Sequence, residues 1–177
     1  MKRILFFVSL VFSCLCVVCA GNPIKVTTGK SGLKSLMKET AMVCVEIEWS
    51  EAMYDYAQPV SDAFGDDYTY IVNDCLNSFV RGFNDNSRGL TASKESDEAK
   101  YKMTIVVDNI GSSISVRPFY VGWEAKLWGK LEITCIETGS IVLAATIDEA
   151  EDGCDTERRG CYGETFEELA ETIAKLK

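Results

Sequence analysis

The sequence predicts an α+β domain of two layers: a mixed four-stranded sheet, elements in the order β-α-β-β-β-α, with two helices on one face. Three observations predict it. Four segments alternate apolar and polar residues, the period of a half-buried strand. Two segments repeat apolar residues at helical spacing. Each candidate strand has one greasy and one polar side, so helices should cover one side of the sheet and water the other.

The first strand runs from Val43 to Ser50. Val43, Val45, Ile47 and Trp49 face one way; Cys44, Glu46, Glu48 and Ser50 face the other. The first helix carries Tyr68, Ile71, Val72, Cys75, Leu76, Phe79, Val80 and Phe83 on its apolar stripe. Asp66 or Asp67 offers it an N-cap, and Gly82 with Asn84 to Asn86 marks its end. The polar stretch Asn84 to Lys100 reads as a loop. Tyr101 to Ile110 is a strand with Tyr101, Met103, Ile105 and Val107 on one face. Phe119 to Glu137 is a longer one. There Trp123, Ala125, Leu127, Leu131, Ile133 and Cys135 oppose Glu124, Lys126, Trp128, Lys130 and Glu132. Thr138-Gly139-Ser140 is a tight turn into the fourth strand, Ile141 to Asp148. Phe166, Leu169, Ala170, Ile173 and Leu176 form the stripe of the last helix. Leu33, Leu36 and Met37 fit either a helical turn or an extra edge strand. The first crossover is expected to be parallel and right-handed, and the last three strands an antiparallel meander.

The N-terminus reads as an address. Met1, Lys2 and Arg3 precede an apolar run from Ile4 to Val18, and Val18-Cys19-Ala20 precedes the polar Gly21-Asn22-Pro23. That order is a secretory signal. The run is shorter than the roughly 20 apolar residues a bilayer span needs. Residues 1–20 are therefore expected to be the signal and residues 21–177 one domain, with no transmembrane segment in the mature chain. Cys14, Cys16 and Cys19 sit where a lipidated cysteine occurs, but the residues before them match that pattern only in part. Soluble release is expected over a lipid anchor.

Removing residues 1–20 leaves 157 of 177 residues, enough for one core. It also removes two of the 18 basic residues, so the mature charge is 16 minus 27, or −11. Such acidity repels phosphate backbones and excludes nucleic acid as the expected partner. No polybasic run is present to hold an anionic membrane.

Histidine is absent. That removes the Ser-His-Asp and Cys-His nucleophile systems and the commonest zinc ligand. No Gly-rich phosphate loop follows a strand, and no cofactor is implied. These absences weigh against an enzyme. Cys75 and Cys135 fall on apolar faces and read as core; Cys44 falls on the polar face, so Cys44 and Cys135 should not pair. Cys154 and Cys161 flank the polar stretch Asp155 to Gly160, and a disulfide closing it is the best pairing. Asp148, Glu149, Glu151 and Asp152 make an oxygen-rich loop that offers hard-cation ligands, without the EF-hand spacing. A solvated acidic loop is the expected reading of this run. Trp128 lies among charges on the wet face, where a large aromatic marks either a binding surface, extended by Phe119 and Tyr120, or packing across strands.

The order of elements resembles a group of bacterial envelope modules. They include the N-terminal domain of the translocation protein TolB and small lipoproteins that regulate peptidoglycan synthases or assemble curli. The residues that carry it are Val43-Cys44-Val45-Glu46-Ile47, Leu76-Asn77-Ser78-Phe79, Ala99 to Ile105, Gly129 to Ile133 with Glu137-Thr138-Gly139, and Phe166-Glu167-Glu168-Leu169-Ala170. The stretch from Gly32 to Ser50 is similar to small secreted bacterial proteins of unknown function. The resemblance implies a non-enzymatic interaction or assembly module of the periplasm or cell envelope, with an envelope protein as partner. The alternative is a histidine-independent hydrolase, or a small-ligand or calcium-binding protein built on residues 148–157.

Overall fold

A computed structural model describes residues 22–95, 97–117, 120–154 and 158–176; of residues 115, 117, 120, 153, 154, 158 and 159 it describes the backbone only. The expected signal at residues 1–20 lies outside them. The fold is α+β, but the sheet has eight strands where four were expected. These are β1 (Ile24–Thr28), β2 (Met42–Glu48), β3 (Met53–Tyr54), β4 (Gln58–Pro59), β5 (Thr91–Ser93), β6 (Tyr101–Arg117), β7 (Tyr120–Cys135) and β8 (Ile141–Cys154). Their main path is β1-β8-β7-β6-β2-β5, and the β3–β4 hairpin continues the edge beside β6 beyond the end of β2. The helices also outnumber the two expected. The described residues include α1 (Leu33–Leu36), α2 (Val60–Phe64), α3 (Tyr68–Asn86) and α4 (Arg158–Ala174), with a 3₁₀ turn at Gly65–Asp67.

The four extra strands share one physical reason for going unread. Each has two to five residues, too few to show a period, and each takes its place from a longer neighbour. β1 pairs antiparallel with β8, and β5 runs parallel to β2. Most of the expected Asn84–Lys100 loop is therefore divided between the last turn of α3, β5 and the return to β6. The long strands behave as their alternation implies. β2 runs parallel to β6, and β6, β7 and β8 form an antiparallel meander.

One continuous core lies between the sheet and the helices α3 and α4. Val43 and Val45 of β2, Met103 and Ile105 of β6, Leu131 and Ile133 of β7, and Leu143 of β8 are buried beneath Phe79, Phe83, Phe166 and Ile173 of the helices. Each such Leu, Ile or Phe contributes roughly 1.5–3 kcal/mol by leaving water. The first long helix ends at Asn86, within the expected stretch, but Gly82 itself does not stop it. It lies inside α3, where a Cβ would meet the Glu167 carbonyl oxygen at 2.6 Å. On α4, a Cβ at Gly163 would meet Asp74 Oδ2 at 2.4 Å. The two glycines let the helices cross closely, and Arg81 clamps Glu167 across the crossing at 2.5 Å. Asp67 occupies the N-cap position of α3 but makes no side-chain cap hydrogen bond, because the 3₁₀ turn leads directly into the helix.

A Trp128 site and a projecting ribbon

The sheet face away from α3 and α4 is polar and carries ion pairs between neighbouring strands. Lys102 binds Glu46 at 2.5 Å and Lys130 binds Asp108 at 3.4 Å. Lys126 lies between Glu149 at 2.6 Å and Glu151 at 3.1 Å. These hydrogen bonds hold the Lys126 ammonium above its ordinary pKa, Glu149 first.

Trp128 sits on this face, half-buried, at a break in the sheet. On one side β6 inserts a residue between Val107 and Asn109; on the other, β8 sets Asp148 and Glu149 against this single position. Such bulges bend a strand and re-aim its side chains. Glu149 adopts a left-handed φ of 56° there. Over the break folds the turn of the β3–β4 hairpin, whose Asp55 and Tyr56 are both left-handed, at φ 50° and 56°. This pair of positive φ values is the tight hairpin geometry that glycine and asparagine favour. Three bonds hold the turn down. The Asp55 N–H donates to Ile110 O at 3.0 Å, the Tyr56 N–H donates to Asn109 Oδ1 at 2.7 Å, and the Tyr54 and Ser112 hydroxyls meet at 2.7 Å. Asp55 lies over Gly111, where a Cβ would come within 2.1 Å of its Oδ1. The Tyr56 ring meets Trp128 with centroids 5.7 Å apart and planes at 53°. Tyr56 itself is 67% exposed. The sequence reading placed Trp128 on the charged face but missed Tyr56, Asp55 and Asn109, whose roles depend on a two-residue strand and a bulge.

Tyr120 lies away from this site. Phe119 lies outside the described residues. Tyr120 pairs with Arg117 at the far end of β7, eight residues or about 27 Å along the strand from Trp128. That end is a two-stranded ribbon. β6 has no strand on its outer edge past Ile110 among the described residues, and β8 accompanies β7 only to Trp123. Ile114 opposes Trp123 and Val116 opposes Val121, all four on the side that is core further down. Here the helices no longer cover it. Ile114, Val116 and Val121 are 60%, 75% and 71% exposed. Between Asp108 and Glu124 the sequence has one charged residue, Arg117.

The acidic run Asp148 to Asp152 was expected to be a loop. It is strand, because β8 continues to Cys154 alongside β7. Three of its carboxylates then meet lysines of the flanking strands. Glu149 and Glu151 turn to Lys126 on the open face, Asp148 binds Lys25 on β1, and Asp152 lies opposite Ala125. Among the described residues no three Asp, Glu or Cys side chains gather to hold a metal ion. A cleft of about 400 Å³ opens between β8 and α4, lined by Pro23, Glu149, Glu151, Thr165, Glu168 and Thr172. Burial and then the nearby charges of Glu171 and Asp152 raise the Glu168 carboxyl above its usual range.

Cys44, Cys75 and Cys135 are free thiols. Burial pushes the Cys75 thiol well up, while the Thr138 hydroxyl and N–H lower that of Cys135, which is only half-buried. Cys161 is fully buried, and the side chain of Cys154 lies outside the described residues. No helix among the described residues is long and apolar enough to cross a membrane.

No protein-family model and no curated protein matches the chain. Solved structures similar to it include the PelC dodecamer from Paraburkholderia phytofirmans, at 10% identity and TM-score 0.46 over 85% of this chain and 95% of that one. A protein from Xanthomonas campestris is 13% identical with TM-score 0.41 over 78% of this chain and 81% of that one. An uncharacterised protein is 8% identical with TM-score 0.47, over 78% and 92%. At such identity and overlap these likenesses carry no argument about what the chain does.

Proposed function

We propose that residues 1–20 direct export and that the remaining single domain is a non-enzymatic interaction module of the periplasm or cell envelope. It docks a protein partner through the β6–β7 ribbon. The observation that carries this reading is the apolar stripe Ile114, Val116 and Val121, left uncovered on a two-stranded arm. Exposed apolar surface on a strand with open edges favours association. The edge of β6 from Gly111 to Val116 has no lysine or proline to discourage it. The core order β2-α3-β6-β7-β8-α4 retains the order on which the likeness to TolB-type and curli-assembly modules rests.

The test is a photo-crosslinking residue at Val116 in living cells, with one at the exposed Tyr70 of α3 as control. Adducts to defined envelope proteins at Val116 alone support the reading. Equal labelling at both positions, or retention of residues 1–20 in the cellular protein, counts against it.

We also propose that Cys154 and Cys161 form a disulfide that fastens the end of β8 to α4. Cys161 is not among the free thiols, and an exported chain meets an oxidising compartment. Peptide mass mapping without reduction should recover the linked pair; a free Cys161 in that map would refute it.

A further inference from the structure

We infer that the open edge of β6 pairs antiparallel with the same edge of a second copy of this chain, across a two-fold axis at Ile114. The two β6–β7 ribbons then form one four-stranded sheet; this rests on the ribbon reading and makes the partner a second copy. The first observation is the extent of the free edge. The β3–β4 hairpin occupies the side of β6 up to Ile110, where the Asp55 N–H donates to the Ile110 carbonyl. From Gly111 to the strand's end at Arg117, no strand among the described residues pairs with that side. This free edge is centred on Ile114. The hairpin stops an added strand from running further, so it sets the register.

The second observation is that this edge complements itself. Centred pairing sets Ile114 opposite Ile114, Ser113 opposite Ser115, Ser112 opposite Val116 and Gly111 opposite Arg117. Opposed residues of an antiparallel pair share a face. The exposed Ile114 side chains of the two copies therefore meet. The exposed Val116 reaches the rim of the second copy's core, where the Tyr54 and Tyr162 hydroxyls lie 2.7 and 3.3 Å from Ser112. The other positions between Gly111 and Val116 are serines, which add neither bulk nor like charge. The third observation is charge, and it selects a second copy. Arg117 is the one charged residue between Asp108 and Glu124. Pairing brings its position opposite Gly111 of the second copy, over which that copy's exposed Asp55 lies. The axis makes this contact twice, and it keeps the two Arg117 positions about 20 Å apart along the strands. Each mature chain carries 16 minus 27, or −11, so the two bodies repel. Pairing through the ribbons leaves about 23 Å of sheet between them, against a Debye length of about 8 Å at physiological salt.

The experiment is sedimentation velocity of the mature chain from about 1 μM to about 1 mM, which should show a monomer–dimer equilibrium. Ile114→Lys should weaken dimerisation by at least about tenfold, because a lysine on a strand edge discourages pairing. Arg117→Glu and Asp55→Lys should each weaken it several-fold, and the two together should restore most of that loss. Thermal melting checks that each variant is folded. Register is read by oxidation. Ile114→Cys should give a covalent dimer, whereas Val116→Cys, about 13 Å along the strands from its counterpart, should stay at the background set by the parent's free thiols. A monomer at every concentration, equal crosslinking at positions 114 and 116, or no rescue by the double charge reversal would each overturn the pairing. A monomer whose Val116 crosslinker still captures another envelope protein in cells would overturn the pairing alone and leave the ribbon reading standing.

Discussion

The lower and upper halves of the β6–β7 pair carry the same alternation and meet different fates. Below, Met103, Ile105, Leu131 and Ile133 lie under α3 and α4 and are buried. Above, Ile114, Val116 and Val121 continue the same face and stand in solvent. Strand periodicity thus fixes which side chains share a face, whereas the length of the covering helices decides which of them are core. Extending the core to the upper half on alternation alone would be right in parity and wrong in burial. The surface stripe is core pattern that outlasts its cover.

Substitution on the two halves should therefore differ most. Leu131→Ala removes a buried side chain and leaves a cavity, a loss of about 2–5 kcal/mol. Val116→Ala should stay within about 0.5 kcal/mol of the parent. Urea unfolding of both variants checks the contrast; comparable losses would place the ribbon inside a core. The covered half also depends on the helix crossing. Gly82→Ala drives a methyl to 2.6 Å from a carbonyl oxygen and should cost roughly 1–3 kcal/mol. A neutral result in the same assay would show that α3 and α4 can part without loss.

Chemical probes sharpen the comparison further. The Cys75 thiol lies in the covered core and is pushed well up; the half-buried Cys135, at the lower end of β7, is lowered by Thr138. Cys135 should be alkylated many times faster than Cys75 by iodoacetamide in the folded state, its rate rising with pH from below the usual thiol range. Equal rates would mean that the core breathes as readily as its rim.

How far the residues told this in advance follows from length and register. β2, α3, β6, β7, β8 and α4 are long enough for alternation or helical spacing to be counted, and all six were legible. β3 and β4 have two residues each and exist through their bonds to each other and to β6, so no local pattern marks them. The bulges were equally silent. Asp108 and the pair Asp148-Glu149 look like ordinary polar strand ends, yet they shift the register and let β6 and β8 run on for several residues more. That continuation turned an expected acidic loop into strand and set three of its carboxylates against lysines of the neighbouring strands. Trp128 was visible as an aromatic among charges. Its partners came from a hairpin with two left-handed residues of which neither is glycine, and from Asn109, an unremarked residue two positions from Val107.

The same comparison holds for charge, where the smallest effect is expected. On the open face carboxylates alternate with lysines: Glu46 with Lys102, Asp108 with Lys130, Glu149 and Glu151 with Lys126. At the cleft beneath α4, Glu168 instead has desolvation first, then Glu171 and Asp152, raising its pKa, and Lys175 opposing them. A carboxyl whose pKa is higher folded than unfolded binds its proton more tightly in the native state. Stability then falls as pH rises from the unfolded value through the folded one, and the penalty is fully present above that window. Glu168→Gln should consequently raise the melting temperature slightly at pH 7, and the gain should vanish once the pH falls below the ordinary carboxylate range. Glu46→Gln removes a paired acid and should give no such gain at pH 7. A gain from Glu46→Gln equal to that from Glu168→Gln would mean that general acidity, rather than desolvation and the neighbouring carboxylates of the cleft, governs the effect.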